Sequence, residues 1–259
     1  MRIHSERIGE VDRYIRNFGH EDLDTKIPEY ERLMRYLRKA REIDSSTRIL
    51  EIGTGTGWFP ILCRAKGLQC KGLEISPQLI EFAMEMGRRK GIVPDIELGN
   101  VEVDDIGVEQ YDAIIASSVF EHIEFWRPAL TNIYRALKPG GALFFESTNK
   151  YMLKSLSAEF AVPFYGWLPD RARYEFRKLV HGKDVMKLGI DFHQFTYLQL
   201  RRAFEDTGFR EILDVIDLLD VEGRKGLNRW ALATAKSSRP MRRLVLTFFV
   251  DATTFVCRK

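Results

Sequence analysis

The chain has 259 residues, 45% of them hydrophobic, and a formal net charge of +3. This supports a packed core and excludes a disordered tail, and the balanced charge gives no reason to expect nucleic acid as a partner. Cys63, Cys70 and Cys257 are odd in number and far apart, with no metal spacing and no disulfide framework, so the expected compartment is reducing and cytoplasmic. The polar start MRIHSERIGEVDRY has no apolar signal core. The longest apolar run, LVLTFFV (Leu244 to Val250), is too short to span a bilayer.

Pro28 to Ile43 has Tyr30, Leu33, Met34, Leu37 and Ala40 at helical spacing. STRILEI predicts a short buried strand, WFPILCRAKG a helix ending at Gly67, and LQCKGLEI a second strand. SPQLIEFAMEMGRRKG predicts a helix with Ser76 as its cap, Pro77 at its first position and Gly91 past its end. DIELGN and YDAIIASS predict the third and fourth strands. WRPALTNIYRALKPGG predicts a helix closed by a Pro-Gly-Gly turn, and ALFFEST the fifth strand. After residue 195, TYLQLRRAFEDTGF predicts a helix, REILDVIDLL a strand and TTFVCRK a last strand.

Alternating strands and helices, with nearly continuous apolar strands, imply a doubly wound α/β fold: a mostly parallel, seven-stranded sheet covered on both faces. The pattern breaks between Asn149 and Phe195, where rings (Tyr151, Phe160, Phe164, Tyr165, Trp167, Tyr174, Phe176) interleave with Arg171, Arg173, Arg177 and Lys178. The expectation is one domain over residues 1–259, with a helical cap over 1–45 and an inserted helical lid over 149–195. Neither repeats nor low-complexity segments are present.

In ILEIGTGTGWF the first strand ends at Glu51 and gives way to Gly53, Gly55 and Gly57. In an open parallel sheet, ligands sit beyond the carboxyl ends of the strands, and glycines in the first turn let a ligand approach the backbone. A dinucleotide fingerprint would place its last glycine where Trp58 stands, which argues against a nicotinamide oxidoreductase. Glu74, ending the second strand, suits the ribose hydroxyls of any adenosine held in this orientation.

ILEIGTGTGW resembles motif I of the class I S-adenosylmethionine-dependent methyltransferases. GLEIS, ELGNVE, YDAIIASSVFEHI and ALKPGGALFFES follow in that family's order over about residues 45 to 148, and HQFTYLQLRRAFEDTGF resembles its later element more loosely. The resemblance implies a Rossmann-like fold and S-adenosyl-L-methionine as cofactor. It places Glu51, Gly53, Thr54, Gly55 and Gly57 along the methionine end, Glu74 on the ribose and Ile75 against adenine. Asn100 and Val101 fall at the adenine edge and Ser117 near the methionine moiety. Asn100 stands where the family often has aspartate.

Methyl transfer from a sulfonium needs two well-placed reactants and a nucleophile in its reactive form; a hydroxyl usually needs a base. His122 in FEHI and His193 in DFHQFT are the candidates, and for each a structural hydrogen bond is the competing reading. Tyr165 and Trp167 are candidate walls for an apolar substrate, with ordinary core packing as the alternative. The leading expectation is a small-molecule methyltransferase acting on a hydroxyl oxygen of an apolar or lipid-like metabolite. The alternatives are carbon methylation or cyclopropanation of a lipid, and a non-catalytic protein that binds S-adenosylmethionine. The Asn-Pro-Pro-Tyr type of sequence that serves planar nitrogens is replaced by SSVF. No metal site is expected and no oligomeric state is indicated. Arg239, Arg242 and Arg243 beside LVLTFFV leave two readings open: peripheral contact with lipid, or a buried helix feeding the last strand with the arginines solvated.

Overall fold

A computed structural model describes residues 22–153, 164–169, 193–221 and 226–259, together with residues 11, 15, 16, 172, 173, 175, 176 and 179. Seven strands form one sheet: β1 (Arg48–Ile52), β2 (Gln69–Glu74), β3 (Asp95–Leu98), β4 (Tyr111–Ser117), β5 (Leu137–Thr148), β6 (Glu211–Asp214) and β7 (Ala252–Arg258). Their spatial order is β3-β2-β1-β4-β5-β7-β6. The first five run parallel, and β7 is antiparallel to both β5 and β6. The order reverses between β1 and β4, so the carboxyl ends of these two strands flank the crevice where such sheets take ligands.

Side-chain alternation along the central strands divides the core in two. Leu50, Ile52, Ile114, Ala116, Leu143, Phe145 and Phe255 face α4 (Trp126–Ala136), α5 (Tyr197–Thr207), α7 (Gly226–Ser237) and α8 (Arg239–Phe248). Ile49, Ala113, Ile115, Ala142, Phe144 and Val256 face α1 (Leu23–Leu37), α2 (Trp58–Ala65) and the short α6 (Val215–Leu218). Between β2 and β3, α3 (Pro77–Arg89) begins as predicted, with Ser76 Oγ accepting from the Leu79 amide at 3.3 Å.

The elements depart from the sequence reading in four places. Helix α1 starts at Leu23, capped by Asp22, and carries Pro28 inside it rather than at its first turn; only one amide bond is lost there. The LKPGG stretch falls within the bounds of β5 but bulges from it: Leu137 pairs with Tyr111 and Ala142 with Ala113, and Gly140 between them has a left-handed φ of +72°. Strand β6 stops at Asp214, because the Asp214 and Asp217 side chains form a reciprocal capping box that starts α6. Helix α7 has no counterpart among the predicted elements. Most of residues 1–21 and 154–192 lie outside the described residues, and so does most of the expected lid; of it, Tyr165–Trp167 form a single 3-10 turn. Among the described residues no helix is long and apolar enough to cross a membrane.

Candidate active site

The turn after β1 brings the first group of predicted residues together. Gly53, Gly55 and Gly57 all have left-handed φ values (+68°, +55° and +77°), which glycine adopts without a steric penalty. A Cβ on Gly53 would overlap Val119, and one on Gly57 would overlap Ala83. Two of the three glycines therefore make room for the protein itself: the tail of β4 packs on Gly53 and α3 packs on Gly57.

Two buried carboxylates flank this turn. Glu51 is buried and accepts a hydrogen bond from the Thr54 hydroxyl. Burial pushes its carboxyl up to about 8, the Thr54 bond offsets part of that, and repulsion from Glu74 and Glu29 adds to it. Glu74, at the end of β2, accepts from the Gly55 amide through Oε2 at 2.8 Å and from the Ile75 and Ser76 amides through Oε1 at 2.9 and 3.0 Å. Burial raises the Glu74 carboxyl and the three amides pull it back down. Glu74 thus ties the glycine turn to β2. With one amide on Oε2, that oxygen keeps acceptor capacity for a ribose hydroxyl.

Beyond β3, the buried Asn100 closes a turn of its own: its Oδ1 accepts from the Glu102 backbone amide at 2.9 Å, and its backbone N–H donates to the Asp104 carboxylate at 2.6 Å. Val101 is buried beside it, its carbonyl held by Asn132 at 2.9 Å. Ile75 is half-buried and Ser117 half-buried at the end of β4. Buried carboxylates, backbone amides and a glycine turn at the reversal of strand order fit an adenosine bearing a cationic chain.

His193 is bonded to residues on either side of His122 in the tail of β4. His122 ends the 3-10 turn Phe120–His122. The His193 amide donates to the Glu121 carbonyl at 3.2 Å, and its ring Nε2 lies 2.9 Å from the Glu124 carbonyl oxygen. A carbonyl only accepts, so Nε2 carries the proton and a neutral ring keeps its lone pair on Nδ1. The ring sits between Trp126 and Phe195, at centroid distances of 6.5 and 5.5 Å. Glu121 is buried and accepts from Ser147 Oγ at 2.7 Å, while Glu102 accepts from the Glu124 amide at 2.8 Å.

Tyr165 and Trp167 do not share an environment. Tyr165 is buried, its ring 5.7 Å from Phe176; Trp167 is 41% exposed and packs on Tyr151, Phe164 and Phe248. Arg242 is a structural cation: it bonds Asp214 through Nε at 2.9 Å and Nη2 at 2.8 Å, and also pairs with Asp217.

Two further connections escaped the sequence reading. Arg32 of α1 makes a bidentate pair with Glu146 of β5 at 2.8 and 3.0 Å, joined by Thr254 at 2.9 Å. Asn149 donates to the carbonyls of Leu246 and Val250 at 3.1 and 2.9 Å, fastening the end of β5 to the end of α8. Both join residues about a hundred positions apart, and no local pattern signals either.

A family model described as a methyltransferase domain matches residues 23–214. A ubiquinone biosynthesis O-methyltransferase from Xylella fastidiosa is 30% identical over 125 residues, covering 46% of this chain and 50% of that protein. A protein of the same name from Xanthomonas axonopodis is 30% identical over 159 residues, covering 57% and 60%. The chain therefore spans only about 50–60% of the length of these curated relatives. A solved methyltransferase from Archaeoglobus fulgidus, described as S-adenosylmethionine-dependent, matches with a TM-score of 0.57 at 17% identity over 95% of this chain and 98% of that one. A phosphoethanolamine N-methyltransferase from Haemonchus contortus, solved with S-adenosylhomocysteine, matches with a TM-score of 0.55 at 17% identity over 88% and 52%. These two share the fold. With the glycine turn, the two strand-end carboxylates and a family model spanning most of its length, the chain belongs to the class I S-adenosylmethionine-dependent methyltransferases, enzymes with S-adenosylmethionine as cofactor.

Proposed function

We propose that this enzyme methylates a hydroxyl oxygen of an apolar, lipid-like small molecule, with His193 as the base. The observation that carries the reading is the setting of His193. Nε2 is held by the Glu124 carbonyl at the tail of β4, so in the neutral ring Nδ1 is the nitrogen that can take up a proton. The names of the curated O-methyltransferase relatives support oxygen as the acceptor atom. The aromatic turn at Tyr165, which follows β5, supports an apolar acceptor.

When bound, the cofactor supplies a methyl group on a cationic sulfur, open to in-line attack. The chain's own work is then positioning and proton removal. Glu74 and the Gly55 turn hold the ribose, Glu51 and Thr54 lie toward the charged end, and Asn100, Val101 and Ile75 bound the base. Ser117 closes the side toward β4, and Nδ1 of His193 takes the acceptor's hydroxyl proton. His122 ends the 3-10 turn whose Glu121 carbonyl anchors the His193 amide.

The test uses methyl-labelled cofactor with long-chain alkyl phenols and a solvent extract, followed by mass analysis of the labelled product. A methyl ether is expected. His193→Gln can keep the donation to Glu124 but loses the base, so turnover should fall about a hundredfold or more with cofactor affinity unchanged, and the acid limb of the pH–rate profile should vanish. Label on carbon or nitrogen would overturn the oxygen reading. Full turnover in His193→Gln would overturn the base.

A further inference from the structure

Helix α8 carries two unlike faces. Met241, Val245 and Leu246 pack into the core, and Arg242 turns inward to Asp214 and Asp217. The outer face holds Arg239, Pro240, Arg243 and Leu244, all exposed. Leu244 is 45% exposed and Phe249, just past the helix, 61%. Among the described residues neither Arg239 nor Arg243 enters an ion pair, so the inward arginine is neutralised and the two outward ones are not.

The apolar part of this face does not end with the helix. Phe248 lies one turn beyond Leu244, and its ring is 5.9 Å from that of Trp167. Trp167 in turn meets Phe164 at 5.5 Å and Tyr151 at 5.4 Å, and Lys150 Nζ stands 5.9 Å from the Tyr151 ring. The Leu153 amide, donating to the Phe248 carbonyl at 3.0 Å, fixes the two segments together. Phe164, Trp167 and Leu168 are themselves at least 36% exposed. The result is one strip from Phe164 to Leu244, its exposed Phe164, Trp167, Leu168 and Leu244 joined by the half-buried Tyr151 and Phe248, with Lys150 at one end and Arg239 and Arg243 at the other. It lies beside the segment that follows β5, at the ligand end of the sheet.

We propose that this strip docks the enzyme on an anionic phospholipid bilayer. Rings and aliphatics enter the boundary between headgroups and acyl chains, and Arg239, Arg243 and Lys150 meet the phosphates. A soluble partner protein would need no unneutralised cations at both ends of an apolar strip, whereas a charged interface rewards both features together. A purely electrostatic partner such as a nucleic acid would leave the exposed rings unused. The inference stands on this surface alone and does not depend on the identity of the methyl acceptor.

The test is flotation of the full chain with vesicles of phosphatidylcholine, with and without phosphatidylglycerol. Binding is expected only to the anionic vesicles, and it should weaken as salt rises past the Debye regime. Arg239→Glu with Arg243→Glu should lower binding about thirtyfold or more, taking roughly fivefold per cation. Arg239→Lys with Arg243→Lys should restore it, because point charges suffice. Leu244→Ser should weaken binding without changing its salt dependence. Turnover on a water-soluble acceptor, measured alongside, checks that each variant is folded. No flotation at low salt would overturn the proposal. So would equal binding to neutral vesicles, an unaffected double-glutamate variant, or retention on duplex nucleic acid without flotation.

Discussion

Replacing Glu51 by glutamine removes a proton-binding group from the heart of the cofactor turn. The carboxyl is 5% exposed and burial lifts it to about 8. At pH 7 about nine molecules in ten then carry the neutral acid, one pH unit being a factor of ten. A cation placed beside it favours the carboxylate. If Glu51 lies toward the charged end of the cofactor, binding at pH 7 releases about 0.9 proton, and affinity climbs about tenfold per pH unit up to roughly pH 8, then levels. For folding the sign is opposite. A carboxyl whose folded value is raised stabilises the ligand-free protein below its unfolded value, near 4.5, and loses that contribution as pH rises toward 8, at about 1.4 kcal/mol per unit. Calorimetry in two buffers of different ionisation heat counts the proton, and thermal scans from pH 5 to 8 follow the stability. Glu51→Gln should abolish both dependences. Affinity that is flat from pH 6 to 8, or a proton count near zero, would refute the reasoning.

Glu74→Ala should cost about 2–4 kcal/mol of cofactor affinity if two charge-assisted bonds are lost. Because the Gly55, Ile75 and Ser76 amides lose their acceptor too, thermal stability should fall in the same variant; unchanged affinity by calorimetry would sink the ribose assignment. Arg242→Ala strands Asp214, which has 0% exposure, and should cost about 3–5 kcal/mol in urea unfolding. Arg242→Lys should recover only part of this, lacking the fork that spans Asp214 and Asp217; a loss below about 1 kcal/mol would show that Tyr197 and the Ile216 amide suffice for Asp214.

The fold was legible because its signals are local. Apolar runs such as YDAIIAS, bounded by turn residues, mark buried strands by themselves, and Ser76 with Pro77 marks a helix start wherever it occurs. The misreadings arose where a local signal had two uses. Pro28 reads as a helix start and is tolerated inside α1, and LKPGG reads as a turn between two elements but is a bulge inside β5, whose flanking Leu137 and Ala142 both pair with β4. Arg242 looks like any arginine beside an apolar run. Only the folded chain brings it to Asp214, because the capping that ends β6 also aims that carboxylate at α8.

The glycine turn shows how a legible motif can still be misjudged in its cause. Three alternating glycines suggest a ligand pressed against the backbone, yet two of them are fixed by Val119 and Ala83. That gives the motif a second use. Val119 immediately precedes the Phe120–His122 turn, whose Glu121 is held by Ser147 through its carboxylate and by the His193 amide through its carbonyl. The turn that would carry the cofactor is therefore packed, through Gly53 and Val119, against the segment that carries His122 and to which the His193 amide is bonded. In-line transfer needs the attacking oxygen aligned with the methyl group and the base within hydrogen-bond reach of that oxygen, so the cofactor turn and the base-bearing loops must keep a fixed spacing. Here the precision comes from close packing of one loop on another, which any side chain at position 53 would wedge apart.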